Sequence, residues 1–290
     1  MTETNTSGII TAAADIIAGA FNALPKRVCN QHKFSDYADY LRENLPAQAE
    51  LDLQREKPLN PAPLVSVAIA CSGASRAAVR STLEALGKQT YANFEVCVVS
   101  ELAQAGLTDY EGIPKFRLVL FNGTAHEQLK AAEKMLNGAY FLQLLPGDLP
   151  APDALHMLVL QTHANPEAEV VFADEDSVID GIRQNPIFKP DYGRDTLRSF
   201  NSIGRPMLVS KRVHTAVGGF RGSTPAELWA YCIDCASVAK QVIHIARIGL
   251  TVIRDCDGSE IPCTDILKRE FNSLYPGDGS GKKNRTNGYC

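Results

Sequence analysis

The feature that most constrains the fold is a series of short apolar runs separated by segments with helical spacing. Each run is long enough for a strand buried on both faces, and most intervening segments can form a helix that crosses back over a sheet. This alternation predicts an α/β domain with a mostly parallel sheet flanked by helices. The runs are LVSVAIAC at 64–71, FEVCVVS at 94–100, KFRLVLF at 115–121, AYFLQLL at 139–145 and EVVFAD at 169–174.

Changes in composition mark the limits of this domain. A charged segment with helical spacing at 36–57 precedes the proline-rich PLNPAP at 58–63, and proline ends helices. The tail from 277 is polar and rich in glycine, a composition that favours disorder. We therefore predict three parts: a helical lead-in at 1–60, the α/β domain at 61–256 and a C-terminal extension at 257–290.

Charge and hydropathy argue against two classes of protein. The formal net charge of the 290 residues is −4, which does not suit a large footprint on nucleic acid phosphates. No segment reaches the roughly 18 to 20 continuous apolar residues of a spanning helix. With no targeting signal, we predict a cytoplasmic protein.

The N-terminal segment at 8–24, GIITAAADIIAGAFNAL, predicts a helix that packs on the domain or on a protein partner. Peripheral membrane docking is the alternative.

The eight cysteines are scattered along the chain rather than concentrated in a short segment. Cys71 and Cys97 fall inside apolar runs, as expected of small buried hydrophobic residues. Cys232 and Cys235 are spaced C-x-x-C, and residues 256 and 263 could complete a zinc site. The loose second spacing favours reduced thiols over zinc.

Polar residues follow several of the apolar runs directly. Because ligands bind at the carboxyl ends of strands in an open parallel sheet, these residues are the candidates for a site. They are Ser72-Gly73-Ala74-Ser75, Ser100-Glu101, Asn122-Gly123-Thr124, Pro146-Gly147-Asp148 and Asp174-Glu175-Asp176.

The ordered segments around these positions resemble one known family. PLVSVAIACSGASRAAVRSTLEALGKQTYANFEVCVVSE at 63–101 is similar to the opening of family 2 glycosyltransferases, and NGAYFLQLLPGDLPAPDAL at 137–155 to the strand that carries their metal-binding DxD motif. The subgroup that builds bacterial surface polysaccharides has similar segments in the same order. Those segments are VFADEDSVIDG, NPIFKPDY, FNSIG, AVGGFRG and AELWAYCI.

The resemblance implies a GT-A fold and an inverting transfer from a nucleotide diphosphate sugar to a glycan acceptor. In such enzymes a carboxylate deprotonates the acceptor hydroxyl, while Mg²⁺ or Mn²⁺ stabilises the departing nucleoside diphosphate. The resemblance also implies acidic residues near the nucleoside, at the metal and beside the acceptor.

Five residues match nucleotide-binding positions of the family. Ser72 and Gly73 stand in the first turn, and Glu101 stands where the family has paired aspartates. Lys130 falls in the next helix, where the family often has an asparagine that faces the donor, and Asp148 aligns with the DxD position. Alternatively, Glu101 and Lys130 are solvated surface charges, and Asp148 caps the helix that follows.

The resemblance assigns metal binding to Asp148 and Asp174, and catalysis to Asp176 and Glu227. The usual general base is replaced by Pro225, so Glu227 is the remaining acid at the start of that helix. In the alternative interpretation Glu227 stabilises the helix N-terminus, and Lys189 and Arg205 pair with the acids at 174–176.

Several positions depart from the family pattern. Ser72 stands where the family usually has Tyr, Ser100-Glu101 stand where it has paired aspartates, and Pro-Gly-Asp stands at the DxD position. Loss of a general base alone can slow a reaction by about 10² to 10⁴. Two hypotheses therefore stand: a glycosyltransferase, or a catalytically degenerate member that binds a nucleotide, a glycan or a partner protein.

Overall fold

The structure is a computed structural model that describes residues 37–253, except 102–112, 114 and 180. The predicted N-terminal helix at 8–24 and the C-terminal extension at 257–290 lie outside the described residues. Within the described ranges, no helix is both long enough and apolar enough to cross a bilayer.

Helices and strands alternate through the first half of the described chain, as the apolar runs predict. The lead-in forms two helices, and later segments form six more. The helices are α1 (Tyr37–Asn44), α2 (Gln48–Glu56), α3 (Arg76–Leu86), α4 (Ala125–Glu133), α5 (Ala154–Ala164), α6 (Arg194–Ser199), α7 (Lys211–Ala216) and α8 (Pro225–Val238). The strands are β1 (Val65–Ala70), β2 (Phe94–Ser100), β3 (Phe116–Leu120), β4 (Tyr140–Leu144), β5 (Asp148–Pro150), β6 (Ala168–Ile179), β7 (Ile182–Ile187), β8 (Met207–Ser210) and β9 (Gln241–Ile253).

These strands form one nine-stranded sheet within the described residues. Its order is β3-β2-β1-β4-β8-β6-β9-β5. β7 lies off this path and pairs with β6. The first four strands are parallel, β8 runs antiparallel to both β4 and β6, and β9 runs parallel to β6. The predicted α/β fold class is therefore confirmed, and the parallel block lies in the predicted part of the chain.

Both faces of the sheet are covered, because the central strands are apolar on both sides. Val67 and Ile69 face a cluster that includes α3 and α5, whereas Ala68 and Ala70 face a cluster that includes α4 and α8. Every residue of β1 and β2 is buried. Continuous apolar runs, rather than alternating ones, are what such two-sided burial requires.

The second half of the chain departs from the sequence prediction in three places. The stretch up to Pro206, expected to be irregular, contains β7 and α6. β7 (IRQNPI) is an edge strand with a mixed polar sequence, so its composition gives no apolar signal. The two short strands expected near 242–253 form one strand, β9, whose pairing with β6 shifts register at bulges.

Candidate functional site

The carboxyl ends of the parallel strands meet at one edge of the sheet. Ala70 pairs with Val99 in β2, and Ile69 pairs with Leu144 in β4. Val209 of β8 pairs with strands on both sides, so β6 runs in the same direction as β4. β1, β2 and β4 therefore end at a common edge, whereas β6 runs on to Ile179, so the acids at 174–176 lie within that strand and not after it.

A pair of exposed polar side chains lies where β1 and β2 end. Ser72 Oγ donates a hydrogen bond to Glu101 Oε1 at 3.2 Å. Next to it, Gly73 has a φ of +69°, and a Cβ added there would meet no atom within 4 Å. The backbone at Gly73 is consequently open to a ligand, and Glu101 offers an acidic acceptor beside it. The structure thus brings three predicted nucleotide-binding residues together.

Lys130 is part of a packing contact instead of an open surface. Its Nζ donates to Glu133 Oε2 at 2.9 Å and to the carbonyl oxygen of Gly218 at 2.5 Å. A Cβ at Gly219, where φ is +84°, would come within 2.3 Å of Glu133 Oε1. The glycine turn and the Lys130–Glu133 pair therefore fit closely against each other, which leaves Lys130 a structural role.

Asp148 closes the tight turn after β4 and is the first residue of β5, at the position that the resemblance aligns with the DxD motif. Arg205 holds the carboxylate at both oxygens, through Nε to Oδ2 at 2.8 Å and Nη2 to Oδ1 at 3.0 Å. Leu145 N–H also donates to Oδ2 at 2.8 Å, and Asp148 is 1% exposed. Burial raises the pKa of the Asp148 carboxyl, and the charge of Arg205 opposes that shift.

The predicted metal ligands do not fit Mg²⁺ or Mn²⁺ in this arrangement. Both oxygens of Asp148 are bound by Arg205, and the two preceding residues, Pro146 and Gly147, carry no ligand atoms in their side chains. Asp174 Oδ1 accepts from Lys189 N–H at 2.9 Å and lies 2.8 Å from His244 Nε2. Over the ranges that the structure describes, no group of three or more His, Cys, Asp or Glu residues could hold a metal ion.

Glu175 and Asp176 pair with cationic side chains from elsewhere in the chain. Lys189, a buried lysine, donates from Nζ to Glu175 Oε2 at 3.2 Å. Asp176 Oδ2 accepts from Tyr37 Oη at 2.5 Å and from Arg183 Nε at 2.8 Å. Pairing of Lys189 with this cluster was the alternative interpretation of the sequence, whereas Tyr37 and Arg183 were not anticipated.

Glu227 stabilises the start of α8. Its Oε2 accepts from the backbone N–H groups of Ser223 and Thr224 at 3.1 and 3.0 Å, and its own N–H donates to Thr224 Oγ1 at 3.3 Å. This reciprocal pattern is a capping box, and Pro225 occupies the first helical turn. The structure therefore supports the helix-stabilising alternative for Glu227 over a role as general base.

A small cavity lies between β4, β8 and α8, close to Arg205. Gln143, Met207 and Leu228 contribute to its lining. Gln143 Nε2 donates to Gly222 O at 2.7 Å, whereas its buried Oε1 has no partner among the described residues. Sequence reasoning missed Gln143, although a glutamine inside an apolar run such as AYFLQLL was a signal.

The four described cysteines are buried free thiols, as the sequence predicts. Burial raises the pKa of Cys232 and of Cys71 to about 12, so both are neutral near pH 7. Residues 256 and 263 of the zinc alternative lie outside the described residues.

The fold is similar to that of TarS from S. aureus. A crystal structure of TarS 1–349 matches with a TM-score of 0.52 at 16% sequence identity, covering 65% of this chain and 60% of that chain. The complex with UDP-GlcNAc matches at 0.51, with 15% identity and coverage of 66% and 58%. The complex with UDP matches at 0.50, with 15% identity and coverage of 74% and 72%. These matches also confirm the predicted GT-A-type α/β fold.

Two curated relatives match over part of their length. The uncharacterized protein y4gI of Sinorhizobium fredii is 30% identical over 199 residues, 64% of this chain and 22% of y4gI. The O-antigen biosynthesis protein RfbC of Myxococcus xanthus is 26% identical over 196 residues, 64% of this chain and 15% of RfbC. The chain thus spans about a fifth or less of these relatives. No protein-family model matches the chain.

Proposed function

We propose that this chain is a glycosyltransferase family 2-like domain that binds a nucleoside diphosphate sugar and acts in surface-polysaccharide assembly without rapid transfer of its own. One observation carries the binding part: the exposed Ser72–Glu101 pair beside the open backbone of Gly73, where β1 and β2 end. Two comparisons support it. TarS, which has a similar fold, was crystallised with UDP-GlcNAc, and RfbC is an O-antigen biosynthesis protein.

The nucleotide would lie across the ends of β1 and β2. Glu101 is exposed and can accept hydrogen bonds from ribose hydroxyls or from base N–H groups, while Ser72 can donate or accept. The diphosphate would then approach the turn at Gly73, where no side chain blocks the backbone. Ser75 caps α3 directly after this turn, and the N-terminus of a helix favours anions.

The transfer step lacks its usual groups. A family 2 transferase needs a carboxylate base at the acceptor, but Pro225 has no titratable group and Glu227 is bound to the start of α8. Asp174 is buried and accepts from the backbone N–H of Lys189, and buried Asp176 accepts from Tyr37 Oη and Arg183 Nε. Since the residues at the DxD position do not fit a divalent ion, no step of the mechanism is assigned to a metal. This supports the degenerate alternative.

An active transferase is the second candidate, and the exposure of Glu101 favours it. Among the predicted site acids, Glu101 is exposed and its described contact is to a neutral hydroxyl. An exposed carboxylate in that arrangement is accessible to an acceptor hydroxyl. The cytoplasmic location and the partner of residues 8–24 stay predictions from the sequence.

Calorimetric titration with UDP, GDP, dTDP and CDP, with and without Mn²⁺, tests the proposal. We expect one of them to bind equally well without Mn²⁺, and Glu101→Gln to weaken it by about tenfold, since a hydrogen bond to a charged group contributes about 1.5 to 3 kcal/mol. Glu167→Gln is the control, because Glu167 lies just before the amino end of β6, at the opposite edge of the sheet.

A donor-consumption assay on the same samples separates the two candidates. We expect turnover far below 1 per second, the low end of ordinary enzymes, roughly 1 to 10³ per second. Turnover at or above about 1 per second, together with Mn²⁺-dependent binding, would support the active transferase instead. Failure of all four nucleotides to bind refutes nucleotide binding altogether.

A further inference from the structure

The ion pair of Asp148 and Arg205 presents its cationic partner to solvent. The Asp148 side chain is 1% exposed, whereas that of Arg205 is 18% exposed. The guanidinium donates to the carboxylate from Nε and Nη2, which leaves the N–H groups of Nη1 without a partner among the described residues. Arginine stays protonated in proteins. The pair therefore offers a permanent positive charge and unused hydrogen-bond donors to a ligand.

Arg205 lies at the same edge of the sheet as the Ser72–Glu101 pair. β8 runs antiparallel to β4, so Arg205, two residues before β8, lies where β4 ends. The strand order β2-β1-β4-β8 places Glu101, Gly73 and Arg205 in that order along the edge. β1 and β8 are two strand spacings, about 10 Å, apart. A nucleotide that lies across β2 and β1 therefore directs its far phosphate toward Arg205.

Hydrogen bonds fix the Asp148 turn against the start of α3. Gly147 N–H donates to the carbonyl oxygen of Ala78 at 3.1 Å and to Thr82 Oγ1 at 2.9 Å. α3 itself begins just after the turn that contains Gly73. The two turns are thus held at a fixed distance from each other, as binding of one ligand by both requires.

A buried acceptor without a partner lies beside Arg205. Gln143 is 6% exposed and lines the same small cavity as Arg205. Its Nε2 donates to Gly222 O, which fixes the orientation of the amide, and its Oε1 has no partner among the described residues. A buried carbonyl oxygen without a hydrogen bond is costly. A sugar diphosphate supplies both missing groups: anionic oxygens for Arg205 and hydroxyls for Gln143.

We infer that Arg205 takes the place of the divalent ion and binds the diphosphate of the nucleotide sugar. Two carboxylates and a divalent ion sum to zero charge. Here Pro146 replaces one acid, and Asp148 with Arg205 again sums to zero. The other acid that contacts this segment, Glu175, is paired with Lys189. A guanidinium suits phosphate oxygens in geometry and charge. The inference rests on the proposed function, because the nucleoside brings the diphosphate to this edge.

Calorimetric titration of the full chain tests the inference. The probes are UDP, GDP, dTDP and CDP, their monophosphates, and inorganic pyrophosphate, all without added metal. We expect Arg205→Gln to weaken the nucleoside diphosphate that binds roughly 10- to 100-fold, the range for a hydrogen bond to a charged group. The corresponding monophosphate should lose much less affinity, because it lacks the phosphate that reaches Arg205.

Two further variants separate ligand binding from stability. Asp148→Asn combined with Arg205→Gln removes both charges, so no uncompensated charge is left buried, and it should weaken the diphosphate as much as Arg205→Gln does. Arg212→Gln is the matched control, because Arg212 binds both oxygens of Glu169 through the same two nitrogens. Glu169 lies near the amino end of β6, at the opposite edge of the sheet. Thermal unfolding checks that each variant folds.

Three outcomes overturn the inference: the double variant binds the diphosphate as tightly as Arg212→Gln does, it loses affinity for monophosphate and diphosphate alike, or binding to the wild type requires Mn²⁺. Nucleotide binding that depends on Glu101 but not on Arg205 supports the proposed function alone. Pyrophosphate binding that depends on Arg205, with no nucleotide bound, supports the cation and refutes the proposed function. Failure of every probe to bind refutes both.

Discussion

Arg205 binds both carboxylate oxygens of Asp148, in the turn where a metal ion would be expected from the resemblance. A guanidinium that donates two nearly parallel hydrogen bonds matches a carboxylate in geometry as well as in charge. The positive charge beside Asp148 is thus built into the protein. It joins the turn after β4 to the segment that leads into β8.

Removing one partner of this pair should destabilise the protein strongly. Asp148→Ala leaves the Arg205 charge in a site that is largely closed to water, and such a loss costs roughly 3 to 5 kcal/mol. Urea unfolding followed by circular dichroism measures it. Arg80→Ala, which breaks an exposed pair with Glu84, should change stability by less than about 1 kcal/mol. Equal effects of the two changes would show that Asp148 and Arg205 are not coupled in this way.

Glu227 should matter for stability and not for ligand affinity. Glu227→Ala removes an acceptor from two backbone N–H groups at the start of α8, a loss of about 1 kcal/mol of unfolding free energy. Thr224→Ala, which removes the other half of the same capping box, should give a similar loss. Thermal unfolding measures both. A variant with unchanged stability but much slower donor consumption would return Glu227 to the catalytic role.

The pH dependence of stability should show the contribution of Glu95. Burial alone would raise the pKa of this carboxyl. Hydrogen bonds from Asn137 N–H, Ser66 Oγ and Arg117 together lower it by more, so the pKa of Glu95 falls below the ordinary 4.5. The folded state therefore binds this proton less readily than the unfolded chain. The stabilisation is present above the ordinary pKa and is lost as the pH falls through the lowered value.

Chemical unfolding between pH 3 and 7 measures this dependence. Glu95→Gln should lower stability at neutral pH and flatten the slope of stability against pH in the acidic range. An unchanged slope in that variant would assign the acid sensitivity to other carboxylates.

The described cysteines should be unreactive in the folded protein. Cys71, Cys97, Cys232 and Cys235 are buried, and a neutral thiol is a poor nucleophile. Alkylation followed by mass spectrometry should label these four positions only after denaturant is added. Rapid labelling of Cys232 or Cys235 without denaturant would show that α8 opens readily.

The sequence predicted the parallel strands well because two-sided burial leaves a direct signal. FEVCVVS and VSVAIA are apolar along nearly their whole length, and both are fully buried strands. β7 left no such signal, since an edge strand needs only backbone pairing on one side. β5 has three residues, too few for any periodicity.

The contacts of the candidate site were harder to predict. Ser72 and Glu101 could be placed together because both follow strands that end at the same edge. Arg205 is 57 residues from Asp148 in sequence, and Tyr37 is 139 residues from Asp176. Such pairs depend on how β6, β8 and the lead-in helix pack, and one sequence contains no pattern that reports those distances.

The capping box at Thr224 and Glu227 has an evolutionary consequence. A carboxylate that binds the backbone at a helix start contributes to folding, so selection for stability retains it whether or not the chain catalyses transfer. An acid at position 225 would replace Pro225 at the first turn of a helix that proline already suits. Selection on folding therefore keeps Glu227 in place independently of selection on catalysis.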